Sequence, residues 1–75
     1  MAKTLKIGSV GLGRLGYEHA KNIANYVTGA ELTAICDTDA ERVAQVAEEL
    51  NVPYTYTDVA EMVKNPDLDA IVVVS

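Results

Sequence analysis

The stretch Leu5-Lys6-Ile7-Gly8-Ser9-Val10-Gly11-Leu12-Gly13-Arg14-Leu15-Gly16 decides how the rest of the chain is interpreted. A short apolar segment leads into three glycines spaced G-x-G-x-x-G, and a helical pattern of apolar residues follows at once. This is the strand, turn and helix order of a phosphate-binding turn, in which free N–H groups and the helix dipole face an anion. Gly11 is expected to permit the tight turn, Gly13 to let a pyrophosphate approach the backbone, and Gly16 to let the helix pack close to the strand.

An acidic residue supports this interpretation, which a short glycine motif alone would leave weak. Asp37 directly follows the apolar stretch 32–36 and lies 21 positions after Gly16, where a dinucleotide fingerprint has its ribose-binding acid. Its carboxylate is predicted to accept hydrogen bonds from the ribose hydroxyls. It would also oppose a 2′-phosphate, because like charges ~4 Å apart repel by roughly 4 kcal/mol at an effective dielectric constant of about 20. The residue after Asp37 is Thr38, and no basic side chain is present there to bind a 2′-phosphate, so we predict a preference for NAD over NADP. The alternative interpretation of Asp37 is an acid that only begins the next helix.

Length and composition indicate one small domain. The 75 residues are 49% hydrophobic and 23% charged with a net charge of −5, while a complete doubly wound dinucleotide domain needs about twice that length. The charge gives no indication of a nucleic acid or an anionic membrane as partner, and no apolar run approaches the ~20 residues of a membrane span. Cys36 is the single cysteine, and the first residues lead straight into a strand pattern, so we expect no signal peptide and a cytoplasmic protein.

Hydrophobic periodicity predicts an α/β fold in the order β-α-β-α-β-α-β. The predicted strands cover residues 5–10, 31–36, 54–57 and 70–74, and the predicted helices cover about 15–27, 39–50 and 59–64. Thr38 with Glu41 forms a capping-box pattern before the second helix, and Asp58 with Glu61 suggests a cap before the third. The buried helix positions are predicted to be Gly16, Ala20, Ile23, Ala24, Val27, then Ala40, Val43, Ala44, Ala47, Leu50, then Val59, Met62 and Val63.

Right-handed crossovers and a site at the reversal of strand order predict a parallel Rossmann-type sheet with strand order 3-2-1-4. The β-branched run at 70–74 is typical of a central strand covered on both faces. We therefore expect residues 1–75 to be a truncated N-terminal dinucleotide-binding domain of a longer enzyme.

The residues at 7–16, His19, the Cys36-Asp37 pair and the Tyr-x-Tyr-x-Asp segment at 54–58 resemble the N-terminus of the Gfo/Idh/MocA oxidoreductases. These are relatives of glucose–fructose oxidoreductase and inositol dehydrogenase, and the likeness to inositol 2-dehydrogenase-like members spans nearly the whole chain. The resemblance implies an NAD-dependent, two-domain, homo-oligomeric dehydrogenase that transfers a hydride between a polyol or sugar secondary alcohol and the nicotinamide. The family's substrate domain, its Glu-Lys-Pro lysine and its later Asp and His have no counterpart here, so no catalytic residue is assigned.

The predicted cofactor-binding residues combine the glycine turn, the end of strand two and the end of the chain: Gly11, Leu12, Gly13, Arg14, Leu15, Gly16, Asp37, Thr38 and Ser75. The resemblance places Ser75 at the start of a Ser/Thr-Pro-type loop near the cofactor. Arg14 either pairs with the phosphates or is a solvated surface charge. Leu12 and Leu15 are expected to contact the cofactor through their backbone or to pack beneath it.

Other chemically capable side chains receive structural interpretations. His19 is expected to be a packed, hydrogen-bonded histidine rather than a catalytic one, and Cys36 a small buried hydrophobe at a strand end. No second histidine or cysteine supports a metal site. Tyr54 and Tyr56 either face the adenine or cover a sheet edge. Glu48, Glu49, Asp67 and Asp69 are interpreted as solvated surface acids.

Two other functional classes stay open from the sequence. One is a nicotinamide-sensing regulatory protein of the same family that has lost catalysis, which the family's lysine and Asp/His pair in the complete protein would exclude. The other is an S-adenosylmethionine methyltransferase, which also places an acid after its second strand. The third glycine at the helix start favours a dinucleotide, and the aspartate disfavours a flavoprotein, whose ribose acid is more often glutamate.

Overall fold

The computed structural model describes residues 4–25 and 28–74. The elements along the chain are β1 (Leu5–Val10), α1 (Arg14–Asn25), β2 (Ala30–Cys36), α2 (Ala40–Leu50), β3 (Tyr54–Tyr56), α3 (Val59–Met62) and β4 (Ala70–Val73). The strands form one parallel sheet in the order β3-β2-β1-β4. The predicted Rossmann-type sheet and its 3-2-1-4 order are confirmed.

Two hydrophobic clusters cover the two faces of the sheet. The larger one joins α1 and α2 to β2 through residues such as Ala20, Leu32, Ile35 and Val43. The second joins α3 to the other face, where Met62 packs with Ala34 and Cys36. The helices therefore sit on opposite faces, as right-handed crossovers from a central β1 require.

An irregularity in β2 determines which of its side chains reach each cluster. Ile7 pairs with Leu32 and Gly8 with Ala34, so Thr33 is skipped in the register with β1. Side chains three positions apart on a regular strand point to opposite faces, and one extra residue brings them to the same face. This is why Leu32 and Ile35 pack together under α1 and α2.

The start of α2 corrects the predicted capping box. Asp39, not Thr38, is the N-cap, and its carboxylate accepts a hydrogen bond from the Arg42 N–H at 3.2 Å. The cause lies one residue earlier: the Asp37 carboxylate accepts the Asp39 N–H at 3.0 Å, which closes a turn over 37–39 and delays the helix by one residue. The helix ends at Asn51, which adopts a left-handed conformation with φ of 57°, where the sequence predicted its end.

The buried stripe of α2 differs in part from the predicted one. Val43 and Val46 are buried, whereas Ala40 and Ala44 are exposed. On α1, Gly16 and Ala20 are buried and Ile23 and Ala24 half-buried, as predicted. The predicted end of this helix at Val27 lies outside the described residues.

The burial predictions are also wrong in the third crossover, except at Met62. α3 is a single turn, so only Met62 is buried, while Val59 and Val63 are 40% and 57% exposed. In β4, Val73 is 69% exposed, because β1 is the one strand that pairs with β4 among the described residues. Over 4–25 and 28–74, no helix combines the length and the apolar character needed to cross a bilayer.

Candidate functional site

The carboxyl ends of β1 and β2 and the loop after β3 surround an open cleft of about 670 Å³. Its lining residues are Val10, Gly11, Cys36, Asp37, Thr38, Thr57, Asp58 and Val59. β1 has β2 on one side and β4 on the other, so strand order reverses there. Open parallel sheets bind their ligands at such a reversal, outside the carboxyl ends of the strands.

The glycine turn at this edge uses its three glycines differently. Gly11 has φ of +98°, and a Cβ there would lie 2.0 Å from the Val74 carbonyl oxygen. A Cβ at Gly16 would lie 2.1 Å from the Gly11 carbonyl oxygen. Gly11 thus serves the tight turn, and Gly16 the close packing of the helix start, as predicted.

Gly13 presents the opposite environment. It is exposed, and a Cβ at this position would have no atom within 4 Å. The Tyr17 N–H donates to the Gly13 carbonyl at 2.8 Å as α1 begins, while N–H groups in the first turn of a helix have no intrahelical acceptor. The turn therefore offers an anion both open space and unpaired donors.

Asp37 is held as an ionised carboxylate beside this turn. Its Oδ1 accepts the Asp39 N–H at 3.0 Å and its Oδ2 accepts the Leu12 N–H at 2.7 Å. These two bonds, the one from Asp39 first, hold the pKa of Asp37 below its ordinary value. Hydrogen bonding from the Thr38 side chain and backbone lowers this pKa further, so the carboxylate is ionised where it lines the cleft.

The backbone of Leu12 is bound on both sides of its Cα. Its N–H donates to Asp37, and its carbonyl accepts the Arg42 Nε–H at 3.2 Å. The Arg42 guanidinium lies 5.0 Å from the centre of the Tyr17 ring, and the Tyr17 hydroxyl donates to the Glu49 carboxylate. Sequence reasoning missed these partners; the available signal was that Arg42 and Glu49, seven residues apart, share one face of α2.

The two leucines and Arg14 of the turn differ in burial. Leu12 is 1% exposed and packs into the core beneath the turn, whereas Leu15 is 60% exposed and does not. Arg14 is exposed at the first position of α1, and Thr38 is exposed at the cleft. Ser75 lies outside the described residues.

His19 corrects one prediction, and Cys36 confirms another. His19 is exposed because it lies about 80° around the helix from the middle of the buried side of α1, which passes through Gly16 and Ala20. It is therefore not a packed histidine. Cys36 is 2% exposed, and burial, followed by the charges of Asp37 and Asp58, raises the pKa of its thiol.

The two tyrosines of β3 cover the sheet edge and do not line the cleft. The Tyr54 hydroxyl donates to Asp67 Oδ2 at 3.0 Å, and the Asn65 side-chain amide donates to the Tyr56 hydroxyl at 3.0 Å. These bonds tie the edge strand β3 to the segment after α3. The four acids Glu48, Glu49, Asp67 and Asp69 are all exposed, as predicted. Three of them also accept hydrogen bonds: Glu49 from Tyr17, Asp67 from Tyr54, and Asp69 from the Lys6 N–H at 2.8 Å.

Comparison with known proteins agrees with this geometry. Residues 5–75 match the GFO_IDH_MocA family, described as an oxidoreductase family with an NAD-binding Rossmann fold. The chain is 39% identical over 75 residues to scyllo-inositol 2-dehydrogenase (NAD(+)) of Bacillus subtilis (strain 168), covering 100% of this chain and 22% of that protein. It is 38% identical over 71 residues to myo-inositol 2-dehydrogenase of Thermotoga maritima, covering 95% of this chain and 21% of that protein.

A solved structure gives the same result. Scyllo-inositol dehydrogenase from Lactobacillus casei, crystallised with NAD(H) and scyllo-inositol, matches with a TM-score of 0.92 and 42% identity, over 97% of this chain and 22% of that one. The chain thus spans about one fifth of the length of these relatives. It belongs to the Gfo/Idh/MocA oxidoreductase family and forms that family's NAD-binding Rossmann fold.

Proposed function

We propose that this chain is the NAD-binding part of a dehydrogenase that oxidises a secondary alcohol of an inositol-like polyol. The observation that carries the proposal is the pairing of an open glycine turn with an ionised Asp37 that lines the cleft beside it. Relatives at 39% and 38% identity are named as inositol dehydrogenases. The family match also argues against the methyltransferase alternative.

The residues fit the parts of a dinucleotide in a consistent order. The open side of Gly13 and the first N–H groups of α1, at Arg14 and Leu15, would receive the pyrophosphate. Asp37 would accept the adenosine ribose hydroxyls, with Thr38 at the same rim. NAD supplies the hydride acceptor, and the described residues contribute its binding and orientation.

The catalytic groups and the substrate domain are assigned outside residues 1–75. The coverage of about one fifth of the relatives supports this, and no residue of the chain is given a catalytic role. We also place Ser75 near the cofactor, on the family resemblance, and take the complete protein to be a cytoplasmic homo-oligomer. The net charge of −5 supports a protein without a nucleic-acid partner.

Cofactor titration of the complete polypeptide tests the proposal. NAD⁺ is expected to bind more tightly than NADP⁺, and Asp37→Ala is expected to weaken NAD⁺ binding while narrowing the difference between the two cofactors. Glu48→Ala, an exposed acid on α2, is the matched control and should leave both affinities unchanged. Tighter binding of NADP⁺ by the unmodified protein would contradict the role of Asp37.

Turnover separates the dehydrogenase from a regulatory member of the family. With myo-inositol or scyllo-inositol, NADH should form in the presence of the complete polypeptide. Binding of NAD⁺ without turnover on these or other polyols would instead support the nicotinamide-sensing alternative.

A further inference from the structure

Leu12 stands between two glycines at the centre of the turn, so its N–H and its carbonyl belong to the two peptide groups that join it to Gly11 and to Gly13. Gly11 and Gly13 leave the backbone on both sides with the widest conformational freedom available to a chain. A turn of this kind binds an anion well only if its N–H groups already point in the right direction, since ordering them on binding weakens affinity. The restraint on these two peptide groups must therefore come from outside the turn.

The structure shows two such restraints, from opposite directions. Asp37 accepts the Leu12 N–H at 2.7 Å, and Arg42 donates its Nε–H to the Leu12 carbonyl at 3.2 Å. The Leu12 side chain is 1% exposed in the core. With one polar atom of each peptide group and the side chain of Leu12 held, both peptide groups are oriented relative to the start of α1.

Arg42 is itself held in place by α1. Its guanidinium lies 5.0 Å from the centre of the Tyr17 ring, a favourable position for a cation over an aromatic face. The Tyr17 hydroxyl donates to Glu49, so the ring is anchored to the same helix that carries Arg42. The arginine thus bridges α2, α1 and the turn.

We propose that Arg42 is a positioning residue for the dinucleotide, which fixes the glycine turn through the Leu12 carbonyl without touching the cofactor. Arg42 does not line the cleft, and its Nε–H is already used by the Leu12 carbonyl. The inference deepens the proposed function and rests on it. It attributes part of the cofactor affinity to Arg42, which lies outside the glycine motif.

Replacement by methionine tests the role of Arg42 in the complete polypeptide. Arg42→Met keeps an unbranched side chain but removes the donor and the charge. The Kd and KM for NAD⁺ should rise about tenfold, the usual effect of losing a charge-assisted hydrogen bond, while kcat stays unchanged. Lys64→Met removes a positive charge of an exposed side chain far from the turn in sequence, and should leave the Kd unchanged.

Amide hydrogen exchange supplies a readout that needs no cofactor. In Arg42→Met the Leu12 amide should exchange faster, because the backbone of Leu12 has lost one of its two restraints, while the amide of Ile35 in the central strand β2 keeps its rate. A general loss of fold would accelerate both. Tyr17→Leu should also accelerate exchange of the Leu12 amide, though less than Arg42→Met does. Tyr17→Phe keeps the aromatic ring and should accelerate it less than Tyr17→Leu.

The outcomes distinguish the inference from the function on which it rests. If the unmodified protein does not bind NAD⁺, the proposed function is wrong. If it binds, and Arg42→Met has an unchanged Kd and an unchanged Leu12 exchange rate, the positioning role is wrong. Should Arg42→Met fail to fold by circular dichroism, Arg42→Ala decides, because it removes every donor to the Leu12 carbonyl: an unchanged Kd refutes the role and a raised Kd supports it.

Discussion

At Gly11 and Gly16 neighbouring backbone atoms leave no space for a side chain, whereas the space around Gly13 is open. The difference follows from what each position faces: a Cβ would meet the Val74 carbonyl at Gly11, the Gly11 carbonyl at Gly16, and no atom within 4 Å at Gly13. The same residue type in one motif therefore serves the fold at two positions and is free to serve a ligand at the third.

Gly13→Val is expected to abolish NAD⁺ binding with little loss of stability. Its side chain would fill the space through which a pyrophosphate approaches, and that space contains no protein atom to displace. Quenching of NADH fluorescence measures binding, and circular dichroism measures the fold. Gly16→Ala is the contrasting variant, because its Cβ would lie 2.1 Å from a backbone oxygen; it should destabilise the fold by about 1–3 kcal/mol. Unchanged NADH affinity in Gly13→Val would refute the phosphate-binding role.

The pKa of Asp37 determines how cofactor binding responds to pH. Because the Asp39 and Leu12 N–H groups lower this pKa in the folded protein, the carboxylate stays ionised below the ordinary aspartate value of about 3.9. Its contribution to stability is present above the unfolded pKa and is lost as the pH falls through the folded pKa. NAD⁺ affinity should therefore show no Asp37 titration between about pH 5 and 8. Titration of the Asp37 carboxyl by NMR near neutral pH would contradict this.

At the scale of the elements, the start of α2 shows how one side chain shifts a helix. Thr38 and Asp39 are both good N-cap residues by type, and a Thr-x-x-Glu pattern favours the first. The Asp37 carboxylate settles the choice by accepting the Asp39 N–H, and the helix begins after Asp39. The residue proposed to bind ribose is thus also the one that sets the start of α2.

Asp39→Ala is expected to lower the free energy of unfolding by about 1 kcal/mol, because the Arg42 N–H loses its capping acceptor. Thr38→Ala should have a smaller effect, since Thr38 is not the cap. Urea denaturation of both variants makes the comparison. A larger loss in Thr38→Ala would show that the helix begins where the capping-box pattern placed it.

The whole molecule buries its sheet unevenly. β2 is covered on both faces, with Ala34 and Ile35 each 0% exposed, whereas Val73 of β4 is 69% exposed. An unpaired strand edge with apolar side chains is a template for pairing with another copy.

Residues 1–75 expressed alone are expected to show no dehydrogenase activity and to be marginally stable or self-associating. The reasons are the absence of any assigned catalytic residue and the exposed β4, together with the small core of a chain this short. Sedimentation velocity and an assay of NADH formation with inositol test both parts. Val73→Lys places a charge on the exposed strand and should reduce the association. A well-folded monomer that turns over inositol would contradict the assignment of catalysis to residues outside the segment.

The sequence by itself determined the order of the elements, the parallel sheet with its 3-2-1-4 order, the glycine turn and the place of Asp37. These features depend on residue type and spacing within one or two neighbouring elements, such as alternation along a strand or glycines before a helix. Because residues close together in the sequence encode these features, they can be predicted without the tertiary structure.

Only the tertiary structure decided which side chains meet across elements. The Arg42 Nε–H reaches the Leu12 carbonyl 30 residues away, the extra residue in β2 turns Leu32 and Ile35 to one face, and His19 falls outside the packed side of α1. Each depends on the angle, register or length of an element after it has packed, and a shift of one residue reverses the result. No local pattern records such a contact, because its energy arises only when distant segments come together.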